Sequence, residues 1–424
     1  MSMIVRRSIA VGIMLSGLFV LDALRMANSL AAASPALSND RTAALIEAYN
    51  ASGQQLFARL TAGTSNVVLS PYSIGTAMAM ALAGARGETA VEMSSVLMHR
   101  LKQGDLDEAN HSILAKLNAN DRHAKLLTAN ALVRTTLGDV VSADYVDLLR
   151  SKYAAELFQG ASLDDVNEWV KRKTEGRIDR MLDHLASDSA AVILNAIYFN
   201  AHWASAFEKN ATRDEAFNLA PSRRVQVPTM TKTEEFPLVV GKGYRAIRLP
   251  YEDRTLGMVV VLPDRIDGAA AVQKALDAKE LARLLDTLKS SQVHKSVALS
   301  LPRFNIAFKV DLVPLFKQAG MSRPFGDAAD FSGMSEQPAS QTPIRIGQIV
   351  HRAVVDVAEK GTEAAAATAV EVRALGVRPR PTLVTPVPFH VDRPFLFYLV
   401  DETTGAILFQ GRINDPRTPG TTAD

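Results

Sequence analysis

The stretch VVDVAEKGTEAAAATAVEV, residues 354–372, changes character at its single glycine. Before Gly361, Val354–Val357 has the apolar and β-branched composition of a strand. After it, every second residue from Thr362 onward is uncharged, and the intervening set carries every charge. That is the period of a strand with one buried face. The pattern therefore predicts two strands separated by a pivot.

Glycine tolerates backbone conformations that other residues avoid, so Gly361 would let the chain fold back beside Val354–Val357. The uncharged side chains are small, and such a strand could enter between two existing strands without forcing them far apart. An alanine-rich surface helix is the alternative interpretation, because alanine has the highest helix propensity. Gly361, Thr362 and the later β-branched residues count against that helix. A fold that keeps this strand outside would be metastable and held by a kinetic barrier.

The first residues have the composition of an export signal. Arg6 and Arg7 precede the apolar run Ser8–Leu21, and small residues follow up to Ser34. This order is typical of a secretory signal peptide and too short for a stable membrane span. We expect residues 1–33 to be removed near Ala33, giving a secreted or periplasmic protein. A twin-arginine signal and an uncleaved anchor are the alternatives.

Charge and cysteine content exclude several classes of function. Residues 1–33 contain three arginines and one aspartate, so the 47 basic and 45 acidic residues of the chain become 44 and 44 without them. A neutral chain without a basic cluster argues against nucleic acid or an anionic membrane as the main partner. The absence of cysteine excludes disulfides, thiolate metal sites and cysteine nucleophiles.

Helical patterns are concentrated before residue 190, and strand patterns after it. Arg41–Leu60 has apolar residues at helical spacing, and Ser70 followed by proline opens a second helix through Ala83. Residues 191–203 read as a strand covered on both faces, and "FLFYLV" and "AILFQGRI" read as a hairpin. No linker or repeat divides the chain, which predicts one α+β domain over residues 38–418.

One long connection does not fit that pattern. From Lys360 to Arg393 no element with an obvious buried face is predicted. A connection of this length inside a compact domain is uncommon unless it is functional. The stretch is therefore the first candidate for the working part of the molecule.

No catalytic motif is present. The chain lacks a G-x-S-x-G elbow, an H-E-x-x-H helix, a P-loop and a G-x-G-x-x-G turn. The histidines are scattered without metal-ligand spacing, and neither a metal nor a cofactor is predicted: His99, His111, His123, His184, His202, His294, His351 and His390. A hydrolase with a site assembled from distant carboxylates stays a minor alternative.

Several segments together resemble the serpin family, from about residue 41 to residue 415. They are "NVVLSPYSIGTAMAMALAGARGET", "VNEWVKRKTEGRI" (166–178), "LNAIYFNAHWASAFEKNAT" (194–212), "VALSLPRFNI", "FSGM", "IVHRAVVDVAEKGTEAAAATA" and "PFLFYLV…GAILFQGRINDP". They follow one another in the family's order. The resemblance implies helices packed on three β-sheets, an exposed reactive loop over about residues 360–393, and a short tail, residues 419–424.

The resemblance also implies a suicide-substrate inhibitor of serine proteases, sometimes of cysteine proteases, acting as a monomer and not as an enzyme. The protease serine would attack the loop, form an acyl-enzyme and be trapped when the loop enters the central sheet. The hinge of that loop resembles the hinge of inhibitory members, being Glu359, Gly361, Thr362, Glu363, Ala364, Ala365, Ala366 and Ala367. A serpin-fold carrier or chaperone, cut without trapping a protease, is the alternative.

The position of the scissile bond follows from the family's loop length. Counted from Glu359 as the first residue, the seventeenth is Leu375, which predicts cleavage between Leu375 and Gly376. Leucine suggests a chymotrypsin- or elastase-like target. The alternative bond, Arg373–Ala374, would suggest a trypsin-like one.

Two further groups of residues match sites known in the family. Ser70, Ser73, Asn195 and His351 match a polar cluster, the shutter, below the point where the sheet opens. Trp203 and Arg303 match residues of the breach at the top of that sheet, where Arg303 would pair with Glu359. Taken alone, these residues would be interpreted as a helix cap, core residues and an exposed ion pair.

Overall fold

The computed structural model describes residues 39–60, 63, 65–118, 124–134, 141–185, 190–335, 344–362, 385–418 and 422–423. The helices are α1 (39–60), α2 (Pro71–Gly84), α3 (Gly87–Val96), α4 (Gln103–Leu117), α5 (Ala143–Tyr153), α6 (Leu163–Lys173), α7 (Ala269–Ala275), α8 (Ala278–Ser290) and α9 (Val313–Gln318). Within these described ranges no helix is both long enough and apolar enough to span a bilayer.

Among the described residues, the strands lie mostly after residue 190. They are β1 (Val67–Leu69), β2 (Ala124–Arg134), β3 (Ala155–Gln159), β4 (Ala190–His202), β5 (Arg213–Ala220), β6 (Arg223–Gly241), β7 (Tyr244–Pro250), β8 (Leu256–Pro263), β9 (His294–Pro302), β10 (Phe304–Asp311), β11 (Arg345–Ala358), β12 (Gly361–Thr362), β13 (Val387–His390), β14 (Phe395–Asp401), β15 (Ile407–Ile413) and β16 (Thr422–Ala423).

Among the described residues these strands form two hydrogen-bonded sheets. The large sheet has the order β16-β10-β11-β12-β4-β2-β3. The second sheet has the order β1-β15-β14-β8-β7-β6-β9-β13, with β5 also paired to β6. Three sheets are implied by the resemblance, but two of them form one continuous sheet here, because the first part of the long strand β6 pairs with β5 and β9 and its last residues pair with β7. Helices and mixed sheets together confirm the predicted α+β class.

Both faces of the large sheet are covered, as the sequence of β4 predicts. Alternate residues of β4, such as Ile193 and Ile197, enter the main core, which also contains the second sheet and α2. The others, such as Leu194 and Tyr198, pack in a second cluster under α6 with Trp169. A strand with two buried faces lacks polar alternation for this reason.

Helix α2 packs in the main core against the central strand β4 of the large sheet. All fourteen of its residues are buried. Ser70 caps it by accepting a hydrogen bond from the Ser73 backbone N–H, and Pro71 occupies its first turn, where a missing N–H costs nothing. This start fixes Ser70 and Ser73 directly behind β4 and β11.

The prediction of no element with a buried face between Lys360 and Arg393 was wrong at the far end, where Val387–His390 forms β13, which pairs in parallel with β9. At the near end, Gly361 and Thr362 form β12 inside the large sheet, where the alternation of charge predicts a strand. β13 is short and contains Pro388, which weakens its sequence signal. It lies at the end of the sheet order, where a residue without an N–H is tolerated. Two earlier strands, β2 and β3, also lie in the region where helical patterns prevail.

Candidate functional site

The candidate site is the point where β4 and β11 separate. These strands pair directly in parallel from Ala190 and Arg345 up to Tyr198 and Val354. Beyond that level β12 lies between them and pairs antiparallel with both. The fold-back predicted at Gly361 is thus present for the two residues of β12. The large sheet is closed below this level and already opened by one short strand above it.

Gly361 sits where no side chain fits. Its φ of +155° lies in a region that favours glycine. A Cβ built on it would lie 2.0 Å from the Ala201 carbonyl oxygen and 2.6 Å from the His202 Cα. Because both neighbours are backbone atoms of β4, they cannot turn away as a flexible side chain would. We call the space between β4 and β11 the slot. Its entrance therefore requires glycine at position 361.

Thr362 is the first side chain inside the slot. It is completely buried, and its hydroxyl shares a 2.8 Å hydrogen bond with the Tyr251 hydroxyl. Tyr251 is itself buried and stacks on Trp203, with ring centroids 4.5 Å apart and planes 18° from parallel. Burial raises the pKa of Tyr251 far above its ordinary value, so the hydroxyl stays protonated and can donate. The sequence analysis missed Tyr251, for which the chain offers no local signal.

Trp203 holds the turn that leads into β12. Its indole Nε1 donates to the Ala358 carbonyl at 3.0 Å, and its backbone N–H donates to the Lys360 carbonyl at 2.9 Å. The backbone N–H of Phe207 donates to the Glu359 carbonyl at 2.8 Å. Three carbonyls in a row are therefore satisfied by one segment, which fixes the point at which the chain reverses.

The Glu359 side chain lies beneath this turn. One carboxylate oxygen accepts a 2.8 Å hydrogen bond from the Thr212 hydroxyl, and the same oxygen lies 3.7 Å from Arg303 Nη1. Glu359 is only 7% exposed, whereas about half of the Arg303 side chain reaches solvent. The structure thus brings the predicted pair together, with the threonine as the closer partner.

The four predicted shutter residues meet where β4 and β11 are still paired directly. Asn195 lies seven residues before His202, the residue of β4 that pairs with Gly361. His351 on β11 and Asn195 on β4 are direct register partners, and their side chains hydrogen-bond at 2.5 Å. Asn195 Nδ2 lies 2.9 Å from the Ser73 carbonyl and 2.6 Å from its hydroxyl. It also lies 2.6 Å from Asn130 Oδ1 on β2, a member that the sequence analysis missed.

The hydrogen bonds settle the tautomer of His351. The Ser70 backbone N–H points at Nε2 from 3.2 Å, so Nε2 must accept and carries no proton. Nδ1 then donates its hydrogen to Asn195 Oδ1. Complete burial lowers the pKa of His351 to about 3, which keeps the ring neutral. The cluster thus locks β4 to β11 through one hydrogen bond that a new strand between them would break.

The remaining predicted residues lie outside the described part of the chain. These are the rest of the hinge, Glu363, Ala364, Ala365, Ala366 and Ala367, and both candidate bonds, Leu375–Gly376 and Arg373–Ala374. The proposed signal over residues 1–33 lies outside it as well. Across the ranges that are described, no group of three or more histidine and acidic side chains is placed to hold a metal ion.

Comparison with known proteins agrees with this geometry. The family model described as Serpin (serine protease inhibitor) matches residues 47–416. A serpin-like protein of Thermococcus kodakarensis is 34% identical over 381 residues, which covers 88% of this chain and 86% of that one. The leukocyte elastase inhibitor of Sus scrofa is 34% identical over 364 residues, covering 83% and 93%.

A solved structure extends the match to the fold. The thermophilic serpin Tengpin in its native state aligns with a TM-score of 0.78 and 26% identity, over 87% of this chain and 94% of that one. The residues that the family model matches, 47–416, include β4, β11 and β12. The chain belongs to the serpin family.

Proposed function

We propose that this protein inhibits serine proteases irreversibly, by letting them cleave its loop and then inserting that loop between β4 and β11. The observation that carries this proposal is β12. Gly361 and Thr362 already occupy the top of the slot, with Thr362 buried and hydrogen-bonded. Below them the strands are joined through side chains that one new strand would separate.

The chemistry is the first half of ordinary proteolysis. The protease serine Oγ attacks the carbonyl carbon of the bait residue, and the C–N bond to the next residue breaks. The new amine leaves with a proton from the protease histidine, and the bait residue stays joined to the serine as an ester. Cleavage frees the hinge side of the loop to continue the insertion that β12 begins. The displaced protease is then distorted before water can hydrolyse the ester.

The length of the slot agrees with the predicted bond. β4 has 13 residues and ends at His202, which pairs with Gly361. Continued antiparallel pairing would bring residue 373 beside Ala190, at the other end of β4. An inserted strand would therefore end within two residues of Leu375. This supports a bait residue at or next to that position and is compatible with the alternative, Arg373.

The uncharged face of the inserting strand also supports an inhibitor. The Thr362 side chain points into the core towards Tyr251, so residues of the same parity would be buried in turn. These are the threonines, alanines and valines of the uncharged set. A strand carrying a charge on that face would need to bury it without a partner, which costs several kcal/mol.

Incubation of the mature chain with chymotrypsin, elastase and trypsin separately tests the proposal. We expect an adduct with chymotrypsin or elastase that survives SDS, together with a released fragment whose mass begins at Gly376. A fragment that begins at Ala374, formed with trypsin, would move the bait to Arg373. Papain tests whether a cysteine protease is also trapped. Cleavage without any adduct would contradict the proposal and favour the carrier alternative.

A matched pair of variants separates insertion from cleavage. Thr362→Arg places a charge at a fully buried position, so we expect the loop to be cut normally but the adduct to be lost. Thr362→Ser keeps the hydroxyl that meets Tyr251 and should form the adduct as before. Equal adduct yields from the two variants would show that the slot takes no part in trapping.

We also propose that the chain is exported. The support is the order of charges and apolar residues over residues 1–33. N-terminal sequencing of the protein recovered outside the cytoplasm of a bacterial host should begin near Ser34. Recovery of the full chain in the membrane fraction would favour the anchor.

A further inference from the structure

The outer edge of β10 is the one feature of the large sheet that the proposed insertion does not use. β10 pairs with β11 along its whole length, from Phe304 with Val357 to Asp311 with Val350. On its other side the described strands include a single partner, the two-residue β16. A strand at the edge of a sheet presents unpaired N–H and C=O groups that can pair with another extended chain.

β10 has the properties of a good template for such pairing. Its eight residues alternate, with four apolar side chains buried: Phe304, Ile306, Phe308 and Val310. The one lysine of the strand, Lys309, is engaged with Asp183 at 2.6 Å. A lysine held in an ion pair repels an incoming strand less than a free one would.

A buried asparagine holds the chain just before β16, the strand that pairs with this edge. Asn66 is 3% exposed, and its side chain makes five hydrogen bonds to the chain that follows β15. Oδ1 accepts from the backbone N–H groups of Asn414 and Asp415, and Nδ2 lies within 3.0 Å of the Asp415 carbonyl and of both Thr418 oxygens. The chain is thus fixed up to Thr418.

Beyond this anchor the chain reaches β10 again. Thr422 pairs with Lys309 and Ala423 pairs with Val310, in parallel. The pairing covers two residues of β10 and leaves the rest of its outer side without a strand partner among the described residues. An occupant held by so few backbone hydrogen bonds can be displaced by a longer strand.

We propose that the outer edge of β10 is an acceptor surface for an extended peptide, and that its resident occupant is β16, Thr422–Ala423, in this chain's own tail. The tail prevents a second copy of the chain from adding a strand there. Its loss exposes the edge and leads to association between copies by strand addition. This surface is separate from the slot between β4 and β11, because β11 lies between them.

Two variants and one control test this proposal. The first ends after Thr418 and keeps the Asn66 anchor. The second, Thr422→Pro, keeps the full length but removes a backbone N–H and restricts φ within the pairing. The control, Thr422→Val, changes the side chain only. Because no protease is involved, the outcome is independent of the proposed inhibitory function.

The first measurement is deuterium uptake of a peptide that covers β10. We expect uptake about tenfold faster in the truncated chain and in Thr422→Pro, and unchanged uptake in Thr422→Val. The second measurement is light scattering at several protein concentrations during mild heating. Truncation should produce oligomers whose yield rises with concentration, and a synthetic peptide of residues 416–424 in excess should suppress them.

Three outcomes would overturn the proposal. One is equal uptake in the truncated and intact chains. Another is uptake in Thr422→Val as fast as in Thr422→Pro, which would assign the effect to the threonine side chain. The third is oligomer formation that the peptide does not change, which would place the association elsewhere.

Discussion

The imidazole of His351 connects the two strands that must separate in the proposed reaction. Nε2 accepts from the Ser70 backbone and Nδ1 donates to Asn195, so both ring nitrogens are satisfied only while β4 and β11 are adjacent. Insertion of a strand would move the two strands from about 4.8 Å apart to about twice that distance, and the direct bond would be lost. One side chain therefore contributes to the barrier that keeps the sheet closed.

Protonation of His351 would destabilise the closed sheet. Its folded pKa of about 3 lies below the ordinary value of 6.5, so the unfolded chain binds the proton first as the pH falls. The contribution of His351 to stability is complete above about pH 6.5 and is lost progressively towards pH 3, with a slope of at most about 1.4 kcal/mol per pH unit. Urea unfolding at several values between about pH 5 and pH 7 should show this slope.

The control for the pH experiment is His351→Asn, which should flatten the dependence. His99 changes the pH dependence of stability in the same direction, because burial lowers its pKa to about 4. His99→Gln therefore measures the part of the slope that does not come from the shutter. If His351→Asn and the unchanged protein had parallel pH dependences, the ring would not be the titrating group.

Gly361→Ala should close the entrance to the slot. The added Cβ would meet the backbone of β4, so we expect β12 to leave the sheet and the contact between Thr362 and Tyr251 to be lost. The chain has two tryptophans, so in a Trp169→Phe background the fluorescence reports on Trp203 alone. We expect a changed spectrum and a roughly tenfold shift from trapped protease to cleaved product.

Gly243→Ala is the matched control for strain. Gly243 also has a positive φ, +81°, but no atom lies within 4 Å of a Cβ built there. It should cost some stability and leave both the fluorescence and the trapping unchanged. Similar behaviour of the two alanine variants would mean that backbone strain, and not blockage of the slot, explains the result.

At the scale of elements, the sequence predicts the backbone of the site better than its side-chain contacts. Alternation of charge after Gly361 predicts a strand and its buried face, and Thr362 indeed points into the core. Tyr251 and Asn130 could not be predicted, because each meets its partner through the packing of strands distant along the chain. β13 was missed for a different reason, since four residues with a proline carry too little periodicity.

The register of β12 predicts that repulsion between two acidic residues slows insertion, an effect we call the electrostatic brake. Val357 pairs with Thr362, so one further step would set Asp356 opposite Glu363. Asp356 is half-buried, and burial raises its pKa while Arg303 lowers it. Like charges directly opposite each other on a sheet are unfavourable by about 0.2–1 kcal/mol. Asp356→Asn should therefore speed adduct formation about two- to fivefold, measured as the rate of SDS-stable complex at neutral pH.

Glu363→Gln tests the same pair from the other strand. It should accelerate adduct formation by a similar factor, and the double variant should add little to either single change. Additive effects of the two substitutions would mean that they act independently. A slower reaction in Asp356→Asn would contradict the brake and assign Asp356 a stabilising role beside Arg303.

For the whole molecule, the fold predicted from sequence motifs agrees with the architecture because the motifs lie on the elements that define it. The segment around Ser70 becomes the buried helix α2 behind the large sheet, and residues 191–203 become its central strand β4. The motifs do not reveal the difference in free energy between the intact form, with the loop outside the sheet, and the cleaved form, with the loop inserted. That difference depends on every backbone group that the sheet would gain.

Cleavage of the loop should therefore raise the stability of the whole molecule. Each new net backbone hydrogen bond contributes about 0.5–1.5 kcal/mol, and about a dozen residues would enter the sheet, for a gain on the order of 10 kcal/mol. For a domain of this size that corresponds to an increase in Tm on the order of 10 °C. Calorimetry of intact and cleaved protein measures the shift. Thr362→Arg should have the same Tm before and after cleavage, because its loop stays outside the sheet. If cleaved and intact protein melted together, no stored energy would be available to displace a protease, and the trapping mechanism would be wrong.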